Sequence, residues 1–140
     1  MIEKNRHEWG IKMNELTIGD QVIAHYKTGK YVGEITNIRT NGYMVVKILA
    51  VLKHPMQGDL HHPKQTEVDF FHERKALAYR EQTNIPANMV KPFKGEIPDY
   101  TESLRQSLET LKQELQKEES KWSDMSLAVI SNIEREYFPI

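Results

Sequence analysis

Ile85-Pro86-Ala87-Asn88-Met89-Val90-Lys91-Pro92-Phe93 is the stretch on which the reading of the fold turns. The Pro86 ring holds its own φ at about −65° and pushes Ile85 into extended backbone. Asn88 tolerates turn geometry. The chain therefore tightens for one turn and re-enters a strand at Met89 and Val90. A one-turn kink followed by a short strand is how an SH3-like barrel ends, so this segment points to a binding module before an enzyme. An ordinary proline-initiated turn has the same local composition, and the other strands have to come from the rest of the chain.

They are found upstream. Gly19-Asp20 makes a turn, after which Val22, Ala24 and Tyr26 alternate with Gln21, Ile23 and His25 as in a half-buried strand. Lys27 to Lys30 reads as a loop, and Tyr31 to Arg39 as a second strand. Asn41-Gly42 is the strongest hairpin signal in the chain and leads into a long third strand, Tyr43 to Leu52, apolar on both faces apart from Lys47. Val45 and Val46 favour strand over an equally apolar helix. Periodicity is lost between Lys53 and Lys75, where Pro55, Gly58 and Pro63 punctuate a connection long enough to suggest a functional or disordered loop. Ala76 to Gln82 and Met89 to Phe93 are expected to supply the last two of about five short strands.

The C-terminal third changes period. Asp99 is a good N-cap with Glu102 three residues on, and Leu104, Leu108, Leu111 and Leu115 then fall on one helical stripe. A second helix is expected from about Ser123 to Tyr137, with Leu127, Ile130, Ile133 and Tyr137 inward, and the two join around Ser120 as a hairpin. The expected fold class is α+β, mainly β: a small SH3-like β-barrel over 13–97, carrying a His-rich loop at 53–75, followed by a C-terminal helical segment over 98–140. Residues 1–12 are polar and unpatterned and are expected to be a flexible extension.

Composition narrows function. The 140 residues carry a formal charge of −1, so the overall field does not recruit polyanions. Charge is unevenly placed: Lys+Arg against Asp+Glu is 11 against 8 over 13–95, and 5 against 10 over 96–140. The acidic helical surface either solubilises exposed faces or contacts a partner. There is no cysteine, which removes thiolate metal sites, a cysteine nucleophile and thioether lipidation. No segment approaches the ~20 apolar residues that span a bilayer, and the charged N-terminus lacks a signal-peptide core. The expected location is cytoplasmic.

Chemistry is sparse. No serine precedes Ser103, so the barrel holds neither a serine nor a cysteine nucleophile. A phosphate-cradling loop around Gly29-Lys30 fails at Ala24 and Tyr31, and a zinc-protease helix beginning at His72-Glu73 fails at Ala76. His54, Asp59, His61, His62, Glu67, Asp69, His72 and Glu73 crowd the long loop. They are open to two readings: a metal site, or imidazoles bonded to the loop's own backbone. Adjacent His61 and His62 point to opposite sides of extended chain, which works against a shared ion. Lys27, Lys30, Arg39, Tyr26, Tyr31 and Tyr43 are the right ingredients for a nucleic-acid surface, though scattered. Tyr26, Tyr79 and Pro86 could line a groove for a proline-rich peptide. Phe70-Phe71 is expected to anchor the loop to the barrel.

Several blocks in order carry a family resemblance: Tyr26-Lys-Thr-Gly-Lys-Tyr31, Val46-Lys-Ile-Leu-Ala-Val51, His54-Pro-Met-Gln-Gly-Asp-Leu-His-His-Pro63, Phe70-Phe-His-Glu-Arg74 and Arg80-Glu-Gln-Thr-Asn-Ile-Pro86. The match continues through Pro98-Asp99-Tyr100 and Ser103-Leu104-Arg105. Together they resemble kinase-associated protein B of spore-forming bacilli. The resemblance implies a non-enzymatic accessory protein of a membrane sensor histidine kinase feeding the relay that starts sporulation, with no cofactor and no catalytic residues. It implies contact with the kinase or relay proteins, and with the inner face of the membrane only through the kinase; whether the chain forms homo-oligomers stays open. Some family members are called lipoproteins, whereas no lipid anchor is expected on a chain without cysteine. The expected partner surface combines Tyr26, Lys30 and Tyr31 of the barrel with His61, His62, Phe70, Phe71 and His72 of the long loop. A nucleic-acid-binding barrel acting on expression is the alternative.

Overall fold

The computed structural model describes residues 15–58, 63–66 and 71–139; the expected 1–12 extension, and His61, His62 and Phe70 of the expected surface, lie outside them. Five strands, β1 (Gln21–Tyr26), β2 (Gly29–Ile38), β3 (Tyr43–Lys53), β4 (Gln82–Pro86) and β5 (Val90–Pro92), form one antiparallel sheet in the order β4-β3-β2-β1-β5. Helices α1 (Tyr100–Glu118) and α2 (Lys121–Tyr137) follow. This is the expected mainly-β barrel topology with a C-terminal helical hairpin.

The kink that decided the fold is a single 3-10 turn, Ala87–Met89, flanked by β4 and β5. It joins the two edge strands in sequence, but the hydrogen-bonded ladder does not run between them, so the sheet is curled and open at one seam. The edges carry Pro86 and Pro92, which have no N–H to donate across a seam.

Strand alternation places Val22 and Ala24 of β1 inside, against Tyr31 and Ile35 of β2 and Val46, Ile48 and Val51 of β3, all essentially buried. The β2–β3 turn works as its sequence suggests: Gly42 sits at φ 86°, the Asn41 side chain accepts from Tyr43 N at 3.2 Å, and Arg39 N bonds Tyr43 O. Gly33 is required by packing, because a Cβ there would lie 2.5 Å from Val46 Cγ1 and 2.6 Å from Lys47 O.

One expected strand is misplaced. Ala76 to Gln82 is irregular chain, and β4 begins where that strand was to end. Its first amides go to side chains instead of a ladder, Ala76 N donating to Tyr137 Oη at 2.7 Å and Leu77 N to Tyr31 Oη at 3.2 Å, and backbone bonds to β3 begin only at Arg80 N, which donates to Ile48 O. Arg80, at φ 69°, then turns the chain.

Asp99 caps α1 as read, accepting from Glu102 N at 3.0 Å, and Leu104, Leu108, Leu111 and Leu115 are all buried. Helix α2 starts two residues earlier than expected, because Ser120 and Ser123 form a reciprocal capping box. That earlier start brings Trp122 into the core. Lys112 of α1 reaches Glu134 of α2 at 3.1 Å. Helix α1 lies against β3, where Val51 N donates to the buried Ser103 Oγ at 2.9 Å.

Candidate functional site

The two ends of the long connection are stitched together and to the helices. The Gln57 carboxamide accepts from Arg74 N at 2.8 Å and donates to Arg74 O at 2.9 Å, imitating a strand pair. Arg74 Nε donates to Gly58 O, Gly58 N bonds His72 O, and Trp122 Nε1 reaches Gln57 O at 3.2 Å. Phe71 is half-buried, but it packs on the helical cluster of Leu108, Leu111, Leu115, Trp122 and Ile130. The expected aromatic anchor therefore holds the loop to the hairpin and not to the barrel. Its greasy surroundings come from two helices whose placement the local sequence does not encode.

His54, the first of the crowded histidines, is fully buried. Nδ1 lies 3.0 Å from Pro55 O and Nε2 3.0 Å from Tyr137 Oη. Burial pushes its imidazole down to about 4, against a smaller opposing effect of the Pro55 carbonyl. This imidazole bonds the loop's own backbone. His72 and Glu73 are exposed at the other end of the loop. Among the described residues no three histidines or carboxylates come together as metal ligands. Asp59, Glu67 and Asp69 lie outside those residues.

The expected partner surface divides. Tyr31 is corrected to a core residue: it is 1% exposed, its hydroxyl accepts from Leu77 N, and burial raises it to about 12. The alternation that puts Val22 and Ala24 inward also turns Tyr31, opposite Ala24, inward. Tyr26 and Lys30 do come together, in an open cleft of about 500 Å³ at the β1–β2 turn. They are joined there by Lys27 of the alternative nucleic-acid set, and by His25, Lys53 and Met89, which the sequence reading did not place in a site. Lys27 Nζ sits 5.3 Å from the Tyr26 ring centroid. Lys53 reaches the cleft because β3 contains an extra residue, Leu52, that sets Lys53 opposite Lys30. That register is not written in local composition.

The alternative nucleic-acid set is pulled apart. Lys27 and Lys30 lie at the start of β2, whereas Arg39 lies just past its end, bonded through Nε to Asn84 Oδ1 at 2.9 Å. Ten extended residues separate the two positions by roughly 30 Å. The expected proline-peptide groove is likewise recast, since Tyr79 packs on Tyr100, with ring centroids 5.6 Å apart, beside Pro98 and Ile97. No helix of the described residues is long and apolar enough to cross a membrane.

Against known proteins, residues 26–138 match the family described as "Kinase associated protein B". The chain is 56% identical over 126 residues to the "Kinase-associated lipoprotein B" of Bacillus subtilis (strain 168), covering 90% of this chain and 98% of that one. A crystal structure of kinase-associated protein B from Bacillus cereus superposes with a TM-score of 0.76 at 50% identity, covering 87% of this chain and 97% of that one.

Proposed function

The chain belongs to the kinase-associated protein B family, and from that premise we propose that it is a non-enzymatic accessory protein of a sporulation sensor histidine kinase, supporting the phosphorelay that initiates sporulation. The observation that carries the proposal is how the most reactive-looking described group is used. His54, at the head of the histidine-rich loop, is closed off from substrate and spent on holding β3, the loop and α2 together. What the molecule offers a partner is surface: the turn cleft of the sheet and the outer faces of an acidic hairpin.

Its contact with the membrane runs through the kinase. The Bacillus subtilis relative is called a lipoprotein, while the 140 residues of this chain contain no cysteine to carry a thioether-linked lipid. The test is co-purification with the cytoplasmic region of the kinase, together with sporulation efficiency after deletion. Retention of the kinase and loss of sporulation are expected. Absence of binding with unchanged relay output would remove the proposal.

A further inference from the structure

The outward face of the sheet treats its charges differently at its two ends. At one end register sets Lys47 of β3 opposite Glu34 of β2, and the two form an ion pair at 3.9 Å. At the other end register sets Lys53 opposite Lys30 and Lys30 opposite His25. Lys91 of β5 stands opposite Ile23, two residues from His25 on the same face. Like charges directly opposite one another across strands are destabilising. Among the described residues no carboxylate pairs with Lys27, Lys30, Lys53 or Lys91. Glu114 of α1 borders the neighbouring hollow with Lys30 and Lys53 without reaching either. The field is felt locally: beyond burial, Lys30, Lys91 and Lys53 all push the His25 imidazole below its usual range. The wall of the cleft is apolar, formed by the Tyr26 ring and by Met89, which is 46% exposed.

We propose that this cationic cleft is a docking site for an acidic segment of a partner protein, its carboxylates bridging Lys30, Lys53 and Lys91 and a neighbouring apolar side chain resting on Tyr26 and Met89. Charge complementarity selects the occupant. A long polyanion or an anionic bilayer extends past the cleft and meets the acidic hairpin, part of the 96–140 segment with 10 acidic against 5 basic residues. A peptide ends within the cleft. The inference rests on the preceding proposal only in taking the partner to be a protein.

The test uses the full chain and a labelled eight-residue peptide of alternating glutamate and leucine, at low salt. Binding is expected to shift the backbone amides of 25–30, 53 and 91, to raise the His25 pKa as carboxylates offset its lysine neighbours, and to weaken with salt. Lys30→Gln together with Lys53→Gln is expected to weaken binding at least tenfold while leaving Tm equal or higher, because the same change relieves cross-strand repulsion. A site kept for stability would instead lose Tm. The proposal is overturned if the peptide does not bind or binds the double variant equally. It also fails if an eight-nucleotide single strand or anionic vesicles compete more strongly than the peptide, or if the lysines prove to mediate self-association with the acidic hairpin of a second copy. Peptide binding with no capture of the kinase and unchanged relay output would keep this site and remove the accessory role. Capture of the kinase by the wild-type chain, with no binding of the peptide, would do the reverse.

Discussion

His54 has its tautomer fixed by its neighbours. The Pro55 carbonyl can only accept, so Nδ1 carries the proton; Nε2 is then an acceptor, and Tyr137 donates to it. The Tyr137 oxygen in turn accepts from Ala76 N. Protonating Nε2 sets N–H against O–H and breaks the chain of donors. With the folded pKa depressed to about 4 and an unfolded value of about 6.5, the contribution of His54 is fully present above about pH 6.5. It is lost as pH falls from there toward 4, because the unfolded state takes up the proton first. The loss is on the order of 2 kcal/mol at pH 5. Urea denaturation at pH 7.5 and pH 5 should show the wild type losing more stability across that interval than His54→Gln, which does not titrate; an identical loss in both would exclude the linkage. Tyr137→Phe deprives Ala76 N–H and His54 of their partner, and should cost about 1–3 kcal/mol with the urea slope unchanged.

Elements were legible where one physical signal acted alone. The Asn41-Gly42 turn, the Asp99 cap and the leucine stripe each specify structure from within a few residues, and all three stand as read. The strand expected at Ala76 to Gln82 was not legible, because what holds that segment are hydroxyls of Tyr31 and Tyr137, distant in sequence. The same is true of the surface. Tyr26 and Lys30 could be picked from the sequence, but Lys53 joins them only through the extra residue at Leu52, and Tyr31 leaves them because its strand face is the buried one. The hairpin offers a paired test of how α1 and α2 pack. Leu108, 1% exposed within the helical cluster, should cost about 2–5 kcal/mol when changed to Ala. Ser126 of α2 is also fully buried, and its Oγ lacks a hydrogen-bond partner among the described residues. Ser126→Ala removes that desolvated hydroxyl and should raise stability by about 1 kcal/mol. Thermal melts of both variants, moving in opposite directions, would verify the packing; a destabilised Ser126→Ala would contradict it.

At the scale of the whole molecule, the sheet and the helical hairpin share buried residues. Leu104 of α1 is buried in the barrel cluster together with Val22, Ile48 and Val90. Tyr137 and Phe138, at the end of α2, pack against both the barrel and the helical clusters. Ser103 Oγ supplies the acceptor for the buried Val51 N–H that the irregular β2–β3 register leaves over. A chain ending at Pro98 would therefore open Val51 N to solvent and expose the face of β3 that α1 covers, while the hairpin alone would expose its leucine stripe. Small domains whose parts share a core unfold as one unit. The full chain should show a single urea transition, coincident by tryptophan fluorescence of a Trp9→Phe variant, which reports Trp122 in the helices, and by near-ultraviolet dichroism of the barrel tyrosines. The 1–98 fragment should show no cooperative transition at all. A fragment that melts cooperatively, or two separated transitions in the full chain, would mean that barrel and hairpin are independent bodies and that the Leu104 and Tyr137 contacts contribute little to holding them together.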